Sequence, residues 1–346
     1  MKIINIKLLR DLKNSYGQGF AIIMVIAAGV ATFTMSLSTL DTLILTRDTY
    51  YRDYRFADIF ASVNRAPESI KLRIAEIDGV DKIETRVVAP IKLKVKDYYG
   101  PIVGQVVSIP DHGESTVNRL YIQVGRNIDP ERDDEVILNE VFAEAHNLLP
   151  GDSLEMIIKG HRQKIKVVGI ALSPEFIYQI APGSITPDFQ RFGVLWMSRG
   201  VLEKAYEMEN AFNNVVLTTR ADSNIKTIIQ KLDLYLEQYG GLDAQERYWQ
   251  VSHRIFQSDI DQLKQMAIVF STIFLGIAAF LLNIVIRRLI DMQRELIAAM
   301  KAFGYSNFDI GLHYLTYVLV IVIFGLLIGT FLGIWLGNVL SGVYVE

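Results

Sequence analysis

The sequence predicts an α-helical membrane protein: three transmembrane helices with a large extracytoplasmic mixed α/β domain between the first two. Three observations carry this. Three long apolar blocks interrupt an otherwise ordinary sequence. Basic charge gathers in the short flanks of those blocks. The long intervening segment alternates strand-like and helix-like patterns separated by turn residues.

The apolar blocks come first. Asn14 to Leu40 is 27 residues without a formal charge, Gln265 to Ile286 is 22, and Ile310 to Val345 is 36. About 20 apolar residues cross the ~30 Å hydrocarbon layer as a helix. Spans are therefore placed at 18–40, 266–286 and 312–339. The first block exceeds a signal-peptide core and lacks a following A-x-A site, so it reads as an uncleaved anchor. The chain as a whole has a mean hydropathy of +0.25. It has 51% hydrophobic and 21% charged residues, which argues against an ordinary soluble enzyme. A formal charge of -3 leaves no basic footprint for nucleic acid. The absence of cysteine excludes disulfides, zinc thiolates, Fe–S clusters and thiol catalysis.

Charge sets the orientation. Residues 1–16 carry Lys2, Lys7, Arg10 and Lys13 against Asp11, and 287–311 carry Arg287, Arg288, Arg294 and Lys301 against Asp291, Glu295 and Asp309. The 225 residues from 41 to 265 hold 27 basic and 33 acidic residues, a net of -6. The positive-inside rule then makes 1–17 a cytoplasmic N-terminus and 287–311 a cytoplasmic loop. It leaves 41–265 outside as a core domain with stalk helices. The segment 340–346 is a short extracytoplasmic C-terminus of a multi-pass protein in the cell (cytoplasmic or inner) membrane.

Within 41–265, Pro67 to Ile77 reads as a helix stopped at Gly79, and Lys82 to Lys96 reads as strands. Asn139 is placed as the cap of a short helix, and Pro150-Gly151-Asp152 as a turn. A hairpin is expected around Gly160, His161 and Arg162. Ser198 and Ser223 are expected to cap the next two helices, the second ending at Gly240-Gly241. Asp41 to Tyr54 and Arg247 to Gln265 extend the first two spans as stalks, or else pack on the domain as surface helices.

The cytoplasmic loop holds the most specific pattern. In Arg294 to Phe303, Leu296, Ile297, Met300 and Phe303 share a helical face, with Glu295 and Lys301 off it. Gly304 supplies a stop, and Ser306 with Asp309 fits a capping box that opens the third span, closed by a Tyr305–Ile310 staple. Such a helix either lies in the lipid interface or inserts into a groove on a cytoplasmic partner. The third span carries Gly325, Gly329, Gly333 and Gly337 in one stripe, the small-xxx-small pattern of close helix packing.

Catalytic signatures are missing. The sequence contains no G-x-x-x-x-G-K-[ST], H-E-x-x-H or G-x-S-x-G. His112, His146, His161, His253 and His313 share no ligand spacing, and the acidic run Glu131, Asp133, Asp134 and Glu135 reads as a solvated loop. The spans hold no Asp, Glu, Lys or Arg, which disfavours an ion-coupled carrier. No cofactor, metal or catalytic residue is expected.

Several strings carry a family resemblance: FADIFASVNRAP at 56–67, IDGVDKIETRV at 77–87, VGRNIDPERDDEVILNEVFAEAHNLLPGDSL at 124–154, IKVVGIALSPEFIY at 165–178, PDFQRFGVLWM at 187–197 and RELIAAMKAFGYSNFDI at 294–310. In their order and topology they resemble the FtsX-like/MacB-like (type VII) permeases of ABC transporters, N-terminal part. The resemblance implies an outer domain of the MacB periplasmic-core type. It also implies a coupling helix near 294–304 seated on a separate ABC ATPase subunit, with a second permease half or copy as a further partner. ATP-driven motion would then power export or mechanotransmission outside. Glu295, Leu296, Ile297, Met300, Lys301, Phe303, Gly304 and Ser306 become the ATPase-coupling residues. The family's fourth span is missing here, so a fragment, or completion by another polypeptide, is expected. The rival readings are a membrane-anchored extracytoplasmic sensor or binding module without ATPase coupling, and a membrane-tethered hydrolase.

Overall fold

The structure is a computed structural model and describes residues 16–184 and 186–345. Lys2, Lys7, Arg10, Asp11 and Lys13 of the basic flank lie outside the described residues, as does Glu346. The chain divides into two compact units, 48–257 and the pair of segments 1–47 and 258–346.

Helix α1 (Tyr16–Asp53) runs 38 residues without a break. After it come β1 (Ile59–Pro67), α2 (Ile70–Ala75) and β2 (Val80–Arg86). Pro67 therefore closes a strand rather than opening a helix, because β1 pairs with its neighbour as far as Pro67 opposite Ala211. The backbone N–H that proline lacks is least missed at a strand end. Gly79 turns the chain at φ +97°, a conformation in which a Cβ is penalised.

Next are β3 (Val88–Lys94), β4 (Ile102–Ile109), β5 (Tyr121–Gly125), β6 (Glu135–Asn139), α3 (Glu140–Ala145), β7 (Ser153–Ile158), β8 (His161–Leu172), β9 (Phe192–Ser198) and α4 (Arg199–Tyr206). Strands β8, β6, β9, β4, β3 and β7 pair in that order, and β7 pairs back to β8, so six strands close a ring with β5 added on β8. All seven residues of β9 are buried. Leu195 and Met197 enter one apolar cluster while Val194 and Trp196 enter another. A strand covered on both faces reads as a continuous apolar run rather than an alternation.

The chain then returns with β10 (Ala211–Thr219), α5 (Ile225–Leu236) and the two-residue β11 (Gln245–Glu246). The order β11-β1-β10-β2 is antiparallel throughout. With α2 and α5 it forms a split β-α-β unit into which the ring is inserted between β2 and β10. Ile70, Ile74, Ile228, Leu232 and Leu236 of the helices pack on Ile59, Ala61, Val215 and Leu217 of this sheet.

The two sheets meet at a buried polar knot. The Arg86 guanidinium donates to both Glu175 oxygens, at 2.6 and 3.0 Å, and its Nε donates to Asn214 Oδ1 at 3.0 Å. Asn118 Nδ2 donates to Glu175 at 2.7 Å, while Asn118 Oδ1 accepts from the Ala57 amide at 2.8 Å. Burial of a charge pair is tolerable only when the remaining lone pairs and protons are also satisfied, as here.

Several local expectations change in the folded chain. Asn139 caps α3, accepting from Val141 N at 3.0 Å. Ser198 does not cap α4. Its hydroxyl donates to Asp111, and the Asp111 carboxylate accepts from Gly200 N at 3.1 Å, so the cap comes from a distant loop. Ser223 donates to Gly79 O at 3.1 Å, and Asn224 caps α5 by accepting from Thr227 N at 3.3 Å. The hairpin turn is Lys159-Gly160, both at positive φ, one residue earlier than expected. Glu135 is not solvated: it is 1% exposed, accepts from Arg126 at 2.8 Å and from Asp129 N at 3.0 Å. The Arg126 hydrogen bond holds its carboxyl below the ordinary carboxylate range.

The other unit contains α1 as far as Arg47, α6 (Val251–Met292) from Ser258 on, α7 (Arg294–Ala302) and α8 (Asn307–Val345). Among the described residues three helices are long and apolar enough to cross a membrane: Tyr16–Asp53, Val251–Met292 and Asn307–Val339. Their shared core is Ile22 and Ile26 of α1, Ala278 and Leu289 of α6, and Ile310, Tyr314, Tyr317 and Ile321 of α8.

Candidate functional site

The region singled out by sequence is α7 and its exit. Helix α7 ends in a Schellman motif. Tyr305 N donates to Met300 O at 3.1 Å, Gly304 N donates to Lys301 O at 3.0 Å, and Gly304 sits at φ +90°. The next helix opens at once. Ser306 Oγ accepts from Asp309 N at 3.2 Å, and Asp309 Oδ2 accepts from Ser306 N at 3.1 Å, a reciprocal capping box. Two backbone devices thus fix the turn and the direction in which α7 presents its side chains.

The four apolar residues of α7 divide between two roles. Ile297 and Met300 are half-buried against the core of the membrane helices. Leu296 and Phe303 point outward, 47% and 86% exposed, and Phe308 at the start of α8 joins them at 76%. Glu295, Lys301, Gly304 and Ser306 are exposed around them. Arg294 and Lys301 make no ion pair among the described residues. The structure therefore leaves Leu296, Phe303 and Phe308 exposed, and uses Ile297 and Met300 to seat α7. Phe308 was not singled out from sequence. Sequence places it only as the second residue of the helix that Ser306 caps, which does not fix its exposure.

The glycines of α8 lie along α1. A Cβ on Gly325 would stand 2.7 Å from Ile26 Cγ2, on Gly329 2.7 Å from Val30 Cβ, on Gly333 2.7 Å from Thr34 Cβ, and on Gly337 3.0 Å from Ser38 Cβ. Carbon atoms separate by ~3.5–4.0 Å in ordinary contact, so no side chain fits along this seam. The partner residues Ala27, Ala31, Thr34 and Ser38 are small as well. Helix α1 also meets α6 closely, where a Cβ on Gly29 would stand 2.8 Å from Phe274 Cβ.

Residues 268–345 match the family model described as FtsX-like permease C-terminal. The matched segment covers the apolar part of α6, all of α7 and the glycine-bearing α8. Among solved structures, the chain is similar to the extracellular domain of the noncanonic ABC-type transporter YknZ from Gram-positive bacteria, at 15% identity and a TM-score of 0.36, covering 55% of this chain and 98% of that one. It is also similar to the periplasmic region of MacB from Actinobacillus actinomycetemcomitans, at 12% identity and a TM-score of 0.37, covering 60% of this chain and 95% of that one. No curated protein matches. No group of three or more His, Cys, Asp or Glu suited to a metal occurs among the described residues.

Proposed function

We propose that this FtsX-like chain is the permease subunit of an ABC transporter and docks a separate ATPase subunit through the outer side of α7. The observation that carries the proposal is the exposure of Leu296, Phe303 and Phe308 on a turn held by a Schellman motif and a capping box, with Arg294 and Lys301 making no ion pair among the described residues. Large apolar side chains beside basic residues on a fixed turn suit insertion into a groove with an acidic rim. The chain itself carries no nucleotide-binding loop in its sequence, so hydrolysis is assigned to the partner. Positive-inside charge puts α7 and the N-terminus in the cytoplasm.

In this reading a push at α7 reaches the membrane core through Ile297 and Met300. Helices α1 and α6 are unbroken through residues 41–53 and 251–265, which suits them to carry a tilt into the outer segment for export or mechanotransmission. Motion requires that the ATPase bind one permease state better than the other. A second permease half or copy is included as a partner.

The test is affinity purification in mild detergent with identification of the co-eluting chains, among which an ABC ATPase is expected. Phe303→Asp and Leu296→Asp should each lose the ATPase while still inserting into the membrane. Met300 is avoided, because its change would also disturb the membrane core. Retention of the ATPase by both variants would replace this reading with that of an anchored sensor or binding module.

A further inference from the structure

We propose that the pocket between the basic-flanked ends of α1 and α6 holds the phosphate headgroup of an anionic phospholipid. Helix α1 contributes Tyr16, Gly17 and Gln18, and α6 contributes Val285, Arg288 and Leu289, around about 300 Å³. The inference needs α1 and α6 to span a bilayer, and does not depend on ATPase docking.

The lining chemistry points to phosphate. Arg288 makes no hydrogen bond or ion pair with any described residue, and neither do Tyr16 and Gln18. A planar guanidinium matches two phosphate oxygens at once. The phenol and the amide supply further donors. Among the described residues no carboxylate lines the pocket; Asp291 and Glu295 are exposed and outside it.

Depth points to a lipid. The apolar run of α6 ends at Ile286, and Arg287 and Arg288 follow directly. Val285 and Leu289 flank Arg288 on the pocket wall, so the cation stands where hydrocarbon gives way to headgroups. Basic pockets between spanning helices at that level suit anionic headgroups.

Shape agrees. A Cβ on Gly17 would meet nothing within 4 Å, whereas one on Gly19 would already meet Ile321 at 3.7 Å. Ile321 belongs to α8, so the space open beside Gly17 on the α6 side is that of the pocket itself. The space is at the low end of small-molecule pockets, ~300–1,000 Å³. That accommodates a glycerophosphate head while the acyl chains stay in the bilayer.

The test uses the full chain purified in mild detergent and titrated during native mass spectrometry. The probes are dioleoyl phosphatidylglycerol, dioleoyl phosphatidylcholine and glycerol phosphate. Phosphatidylglycerol should bind about five- to tenfold tighter than phosphatidylcholine, the effect of one basic group at an anionic headgroup. Arg288→Gln should abolish that preference. Gly17→Leu, which fills the pocket without changing charge, should weaken phosphatidylglycerol by a similar factor, and keeps the test decisive if Arg288→Gln does not fold. Arg287→Gln, outside the lining, should retain the preference. The proposal is overturned by equal binding of the two lipids, or by an intact preference in the folded pocket variants. Glycerol phosphate binding as tightly as phosphatidylglycerol would also overturn it, by making this a site for a soluble phosphate ester.

Discussion

Replacing Gly329 by alanine tests the glycine seam directly. The added carbon would lie 2.7 Å from both Val30 Cβ and Ala27 O. Ordinary contact needs ~3.5–4.0 Å, so α8 must retreat from α1 by roughly 1 Å. Retreat is not local. Gly325, Gly333 and Gly337 are pressed against the same helix, and the stripe extends ~18 Å at 1.5 Å per residue. Overpacking of this kind costs about 1–3 kcal/mol. Against it stands helix propensity, which favours alanine over glycine by about 1 kcal/mol. The net expectation is a loss of about 1 kcal/mol at Gly329, and a larger loss for Gly329→Ala with Gly333→Ala. Gly276 and Gly311 serve as controls, because a Cβ there meets nothing within 4 Å. Gly276→Ala should be neutral or stabilising by up to about 1 kcal/mol, the propensity gain alone. Thermal unfolding in detergent, followed by intrinsic fluorescence, reads both. If Gly329→Ala raises the midpoint as much as Gly276→Ala does, the seam is not close-packed and the reasoning fails.

The remaining predictions concern unit 48–257. Glu175→Gln should destabilise it by about 3 kcal/mol in urea, because the Arg86 guanidinium, 5% exposed, loses its counter-charge. Arg86→Met with Glu175→Leu should recover much of that loss, since no charge is then stranded. Glu135 predicts a pH dependence. Its carboxyl is held low chiefly by the Arg126 hydrogen bond, so its contribution is complete above the ordinary glutamate pKa of ~4.3 and fades as pH falls through the lower folded value. The stability gap between wild type and Glu135→Gln should therefore be largest near neutrality and shrink below about pH 4; a gap constant with pH would refute it. Asp111→Ala should cost about 1 kcal/mol as a lost cap and speed amide exchange at Gly200 and Val201, whereas Ser223→Ala should leave the first turn of α5 protected by Asn224.

Much of this molecule was legible because its signals are local. Twenty apolar residues in a row state a span wherever they occur, and the Ser306–Asp309 box and the Gly304 stop each close within a few residues. Asn139 capped α3 as read, since Val141 lies two residues on. Signals failed where a partner came from elsewhere in the chain. Asp111 displaced Ser198 as a cap, and Arg126 turned Glu135 from a loop acid into a buried ion-paired one. Pro67 stayed in a strand because Ala211 held it there.

The sequence by itself determined the number of apolar helices, the charge asymmetry and the turn that follows α7, since hydropathy, net charge and capping need only neighbouring residues. Only the tertiary structure decided that Ile297 and Met300 face inward while Leu296 and Phe303 face outward. It alone decided that six strands close a ring inside a split sheet, and that Gly325 to Gly337 meet α1 rather than α6. Helical periodicity defines a face but not what covers it; that depends on which distant segment can approach closely enough to exclude solvent or lipid.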